Sequence, residues 1–94
     1  MAIRITEVHL EGGNTHEHIQ LLKWIEDGTG NSDTWTRARL VTWIEDKGGH
    51  AYVQQPGTKP ATVEVKTPGN GRPKYLQTRP DGDPRNNLLN LPKF

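Results

Sequence analysis

The first ten residues alternate between apolar and polar positions and then slip. Ile3 and Ile5 fall on one side and Arg4 and Thr6 on the other, whereas Val8 and Leu10 continue with the opposite parity. Successive side chains of a strand point to opposite faces, so one extra residue restores the inward set. The pattern predicts a strand over residues 1–10 with a bulge near Thr6 and Glu7. Residues 11–14, EGGN, read as a turn.

The string LLKWIEDGTG at residues 21–30 returns, little altered, as LVTWIEDKGG at residues 40–49. The first copy supports two readings. Asn14 and Glu17 have capping-box spacing, and Ile19, Leu22 and Ile25 recur at helical intervals. A strand over residues 18–27, following a Gly-Gly turn and paired with residues 3–10, fits equally well. The second copy predicts a helix. Residues 31–33, NSD, offer an N-cap, and Asp33 suits the positive end of a helix. Leu40, Val41 and Ile44 share one face, flanked by Ala38 and Trp43; Trp35 falls off that face and folds over the first turn. Lys47 lies in the last turn and Gly48 and Gly49 stop the helix.

Three short β-rich runs follow at residues 50–55, 61–67 and 74–79, separated by Pro-Gly and PGNGRP turns. The tail offers a turn and a short helical twist over residues 87–91, ended by Pro92. The expected architecture is α+β: a small antiparallel sheet in the order ββαβββ with one helix packed on one face. Ile3, Ile5, Val8, Leu22, Leu40, Val41, Ile44, Val53, Val63, Val65 and Leu76 are the expected core. Leu88, Leu89 and Leu91 close its edge, within a docked C-terminal tail at residues 80–94.

Composition bounds this picture. Ninety-four residues suit a single small domain, residues 1–94, and 31% hydrophobic content with ten Gly and seven Pro leaves a small core and long loops. With no cysteine, disulfides, thiolate metal sites and cysteine nucleophiles are excluded. The apolar runs are too short to span a membrane and residues 1–10 lack a signal-peptide layout, so a cytoplasmic protein is expected. The net charge of +1 is unevenly placed: residues 1–50 carry −3 and residues 51–94 carry +4. That asymmetry could steer an anionic partner to the second half.

Three constellations could carry chemistry. In HEH, His16 and His18 would share one side of a strand, and His9 or His50 could complete a metal site; the alternative is two polar residues beside a hairpin turn. Asp81, Asp83, Arg85, Asn86 and Asn87 resemble part of a calcium loop without its terminal glutamate, and fit better a turn whose side chains bond the tail backbone. Arg72, Lys74, Tyr75, Arg79 and Arg85 place an aromatic among cations, a set suited to an anionic ligand or a stacked base. No catalytic constellation and no cofactor motif can be assembled. GNG at residues 69–71 lacks the strand-to-helix context of a phosphate loop.

The layout resembles a family of small bacterial and phage domains of unknown function, numbered thirty-eight ninety-two. The resemblance rests on IRITEV, HIQLLKW followed by a glycine turn, WIEDKGG, the V-x-V of Val63 and Val65, and above all KYLQTRPDGDPRNNLLNLPKF. This chain departs from the pattern in QQPGTKPA, at residues 54–61, and in Asn86. The resemblance implies that the first copy of the repeated string is extended and the second helical, so two copies do not make a solenoid. It implies no activity. The function expected is a non-catalytic accessory or interaction module for a protein partner or small ligand, with nucleic-acid or nucleotide binding by the basic half as the alternative.

Overall fold

The computed structural model describes residues 2–80 and 82–94. Its elements are β1 (Ala2–Leu10), β2 (Ile19–Glu26), β3 (Ser32–Thr36), α1 (Arg37–Lys47), β4 (His50–Val53), β5 (Ala61–Lys66) and β6 (Tyr75–Thr78). Short 3-10 turns occupy His16–His18 and Leu88–Asn90. The six strands form one α+β sheet in the order β3-β2-β1-β4-β5-β6. All neighbours are antiparallel except β1 and β4. A parallel pair needs a long crossover, and α1 lies within it.

The sheet is therefore mixed and the order is βββαβββ, which corrects the antiparallel ββαβββ expectation. The difference arises at residues 31–36. Glu26 N donates to Asn31 O at 2.7 Å, closing a hairpin turn after β2. The β-formers Thr34, Trp35 and Thr36 then pair with β2 instead of starting the helix. Asp33 does not cap: its Oδ1 accepts from Thr34 N at 2.7 Å, within the strand. The N-cap is Thr36, whose Oγ1 accepts from Arg39 N at 3.2 Å. At the other end Gly48 takes the left-handed conformation, φ 64°. A Cβ on Gly49 would fall 2.4 Å from the Trp43 ring, so glycine lets the chain pass the indole.

The bulge lies where the parity slip places it. Ile5 pairs with Trp24 and Glu7 with Lys23, leaving Thr6 as the extra residue. Ile3, Ile5 and Val8 are thereby all buried. Within the repeated string the first copy is strand and the second helix.

The core differs from expectation in two respects. Ile44 and Val65 are only partly buried. Trp35, expected outside the helix face, is buried on β3. Its partner across the ladder is Leu22, and it meets Trp24 at 4.9 Å and Trp43 at 5.7 Å, both edge to face. The indole N–H groups of Trp24 and Trp35 are buried without an acceptor among the described residues. The principal contacts of α1 are with β2 and β3 at one end of the sheet and β5 and β6 at the other. The sheet thus curls around the helix, and β6 reaches the 3-10 turn at His16–His18.

The tail completes β1. On β1, β4 reaches only Ala2, Ile3 and Arg4. Further along that strand, Val8 N donates to Pro92 O at 3.1 Å and Phe94 N to Val8 O at 3.2 Å. Leu88 and Leu91 are buried and Leu89 is half-buried against the core. Asn86, fully buried, anchors this segment: Oδ1 accepts from Gln55 N at 2.9 Å, while Nδ2 donates to Thr58 Oγ1 and Lys59 O, each at 2.7 Å. Asn87 Oδ1 caps the last turn by accepting from Leu89 N at 2.9 Å. The anchoring role expected of Asp81 lies outside the described residues. Gly82 runs against β5, where a Cβ would sit 2.6 Å from Ala61 Cα and from Pro60 O.

Removing the Asn86 side chain strands the donor and acceptors that it satisfies. Asn86→Ala should cost about 2–4 kcal/mol in urea unfolding, whereas Asn70→Ala in an exposed turn should stay within about 0.5 kcal/mol. Equal, small effects would show that the buried amide does not hold the tail.

Candidate functional site

The cations picked out by sequence are each engaged by a carboxylate from another part of the fold or from the same turn. Arg72 Nη1 meets Glu17 Oε2 at 3.0 Å, and Lys74 Nζ meets Glu45 Oε1 at 2.7 Å. Arg79 Nε meets Glu64 Oε2 at 3.1 Å, and Glu64 also takes Lys66 at 3.0 Å. Lys66 and then Arg79 hold the Glu64 carboxyl below its usual range. Arg85 grips Asp83 through two bonds of 2.6 and 3.0 Å, which lowers the Asp83 carboxyl to about 2. Tyr75 lies opposite Lys66 in the β5–β6 ladder, half-buried. The alternation of β6 puts Arg79 on the same side as Tyr75. Arg72 and Lys74 instead reach the His16–His18 turn and α1, and Arg85 stays on the tail turn.

The histidines also part company. HEH forms a 3-10 turn rather than a strand, because Thr15 ends the glycine turn in a capping box with His18. His16 Nε2 donates to Asn87 Oδ1 at 3.1 Å, tying the turn to the tail. His18 Nδ1 accepts from Thr15 Oγ1 at 2.7 Å, and its ring fills the space where a side chain on Gly13 would be. His50 stacks on Tyr52 with centroids 5.8 Å apart. Among the described residues no group of three His, Cys, Asp or Glu side chains stands together to hold a metal ion.

A cleft of about 600 Å³ lies between α1, β2, the end of β1 and the segment entering β6. The N-terminal turns of α1 present Ala38, Val41 and Thr42, which with Leu21 of β2 make an apolar floor. Glu11, Arg37, Glu45 and Lys74 stand around it, two of each sign. The Glu45–Lys74 pair bridges helix and β6 lead-in, closing one wall. The Thr36 hydroxyl in the lining is committed to the helix cap. His9, also in the lining, bonds through Nδ1 to Phe94 O and through Nε2 to Glu11 at 3.3 Å. Of the cations named from sequence, Lys74 alone lines this cleft.

A second concavity escaped the sequence reading. Trp35, Arg39, Trp43 and Lys47 edge a groove on α1. For Arg39, Trp43 and Lys47 the signal was present as a recurrence at every fourth residue, the spacing that aligns side chains along a helix, whereas Trp35 joins them from β3.

The bond from Phe94 O, followed by that to Glu11, raises the His9 imidazole above its ordinary value of about 6.5. A raised folded-state value means that the contact stabilises fully below the unfolded value and is lost as pH rises through the folded one. In an NMR titration the His9 ring should titrate above its value in the urea-unfolded chain, with the Phe94 amide following the same midpoint. A midpoint at or below the unfolded value would contradict the contact.

Among the described residues no helix is long and apolar enough to cross a membrane. No curated protein and no solved structure matches the chain. The family described as "Protein of unknown function (DUF3892)" has a model that matches residues 4–92, spanning β1 through the tail, and the chain belongs to that family.

Proposed function

We propose that the chain is a non-catalytic interaction module that binds a protein partner or small ligand in the cleft beside α1. The cleft itself carries the reading. Its volume of about 600 Å³ falls in the range of ligand pockets, with an apolar floor and a few converging polar groups. The hydroxyl and imidazole groups named above are already bonded within the fold, which favours recognition over catalysis. Ion pairing of Arg72, Lys74, Arg79 and Arg85 weighs against a phosphate track along the basic half. A cytoplasmic setting fits a chain without cysteine.

Two measurements test the reading together. In a ¹H–¹⁵N NMR screen of small amphipathic fragments, the amides of Leu21, Val41, Glu45 and Lys74 should shift before those of Arg79 and Arg85. Fluorescein-labelled oligonucleotides should show no salt-sensitive binding in anisotropy. Shifts centred on Tyr75 and Arg79, or nucleic-acid binding that weakens steeply with salt, would favour the basic-half alternative instead.

A further inference from the structure

The groove beyond the cleft has chemistry of its own. Arg39 stands over the Trp35 ring at 4.5 Å from the centroid, and Trp35 meets Trp43 edge to face at 5.7 Å. Between these indoles and Lys47 lies a concavity of about 520 Å³. It shares Ala38 and Thr42 with the cleft. These two small, exposed side chains, one helical turn apart, form a low ridge between the concavities. A small molecule fills one hollow; a polypeptide segment can cross the ridge and use both.

Charge selects the segment. The groove lining holds two cations and no carboxylate, whereas the cleft lining balances Glu11 and Glu45 against Arg37 and Lys74. Neither Arg39 nor Lys47 forms an ion pair among the described residues. Asp46 is their neighbour on the helix but does not line the groove. Two cations are few for phosphate-driven binding, while aromatic and arginine side chains around an apolar hollow are the usual anchors of protein interfaces.

We propose that the exposed side of α1 docks a partner-protein segment in which an aromatic or large aliphatic side chain is flanked by Asp or Glu. The anchor lies against the half-buried Trp43, and the carboxylates meet Arg39 and Lys47. This rests on the binding-module reading but not on what occupies the cleft.

The test is selection from a random dodecapeptide library on the intact chain, followed by fluorescence polarisation with the enriched peptides. Enriched sequences should combine an apolar anchor with acidic neighbours. Affinity should fall about tenfold or more in Arg39→Glu/Lys47→Glu and in Trp43→Ala, and less in the cleft-rim variant Glu11→Ala/Lys74→Ala. Thermal melts establish that each variant is folded, and the exposed charge pair decides the matter if Trp43→Ala is not. No enrichment, or enrichment without acidic residues, overturns the proposal. So does binding lost only in the cleft-rim variant, which leaves the binding-module reading standing. Peptide binding indifferent to both sets would remove that reading as well. Oligodeoxythymidine binding abolished by the charge reversal would make the groove a nucleic-acid site, and self-association abolished by it would make the occupant a second copy; either overturns the proposal.

Discussion

The free edge of β1 is the constraint on which the rest of the structure turns. A buried strand with unpaired N–H and C=O groups is costly, and β4 covers that edge only as far as Arg4 before the chain turns away at Val53. The gap at Val8 is closed by Pro92 and Phe94. For the tail to arrive there, Asn86 must be held by Gln55, Thr58 and Lys59, and Leu88 and Leu91 must fill the space beneath. Sheet pairing, core filling and a buried amide are thus met by one segment, residues 86–94. In a chain with so little apolar content, that concentration leaves small margin.

Much of this was legible because it depends on local parity and composition. The slip at Thr6 and Glu7 located the bulge, and WIEDKGG located the helix end. β3 was not legible: of SDTWT only Trp35 is buried, and one inward residue makes no period-2 signal. Its polar, exposed outer positions suit an edge strand and resemble a helix cap. The ion pairs of the cations were not legible for a different reason. Their clustering in sequence was visible, but Glu17 and Glu45, which neutralise Arg72 and Lys74, lie 55 and 29 residues away along the chain. The HEH geometry failed because two glycines and Thr15 impose a tight turn where alternation had been assumed.

These pairings also shape what the surface offers. Exposed ion pairs contribute little stability, yet they cancel charge that would otherwise attract an anion. With Arg72, Lys74, Arg79 and Arg85 each paired to a carboxylate and the sheet curled about α1, the exposed side of that helix retains two hollows. One has balanced charge and the other an unopposed positive rim. The helix packs Leu40 and Val41 into the core, and its other side, exposed, is the surface that we propose for recognition.

Native-state hydrogen exchange tests most directly whether the tail is integral to the sheet. If closing the edge of β1 holds the fold together, the amides of Phe94, Asn86 and Val8, the last donating to Pro92 O, should exchange with the same free energy and denaturant dependence as the amides of the inner strand β2, through global unfolding. Exchange of Phe94, Asn86 and Val8 at a much lower free energy, independent of denaturant while β2 stays protected, would mean that the tail opens alone and that the core is complete without it.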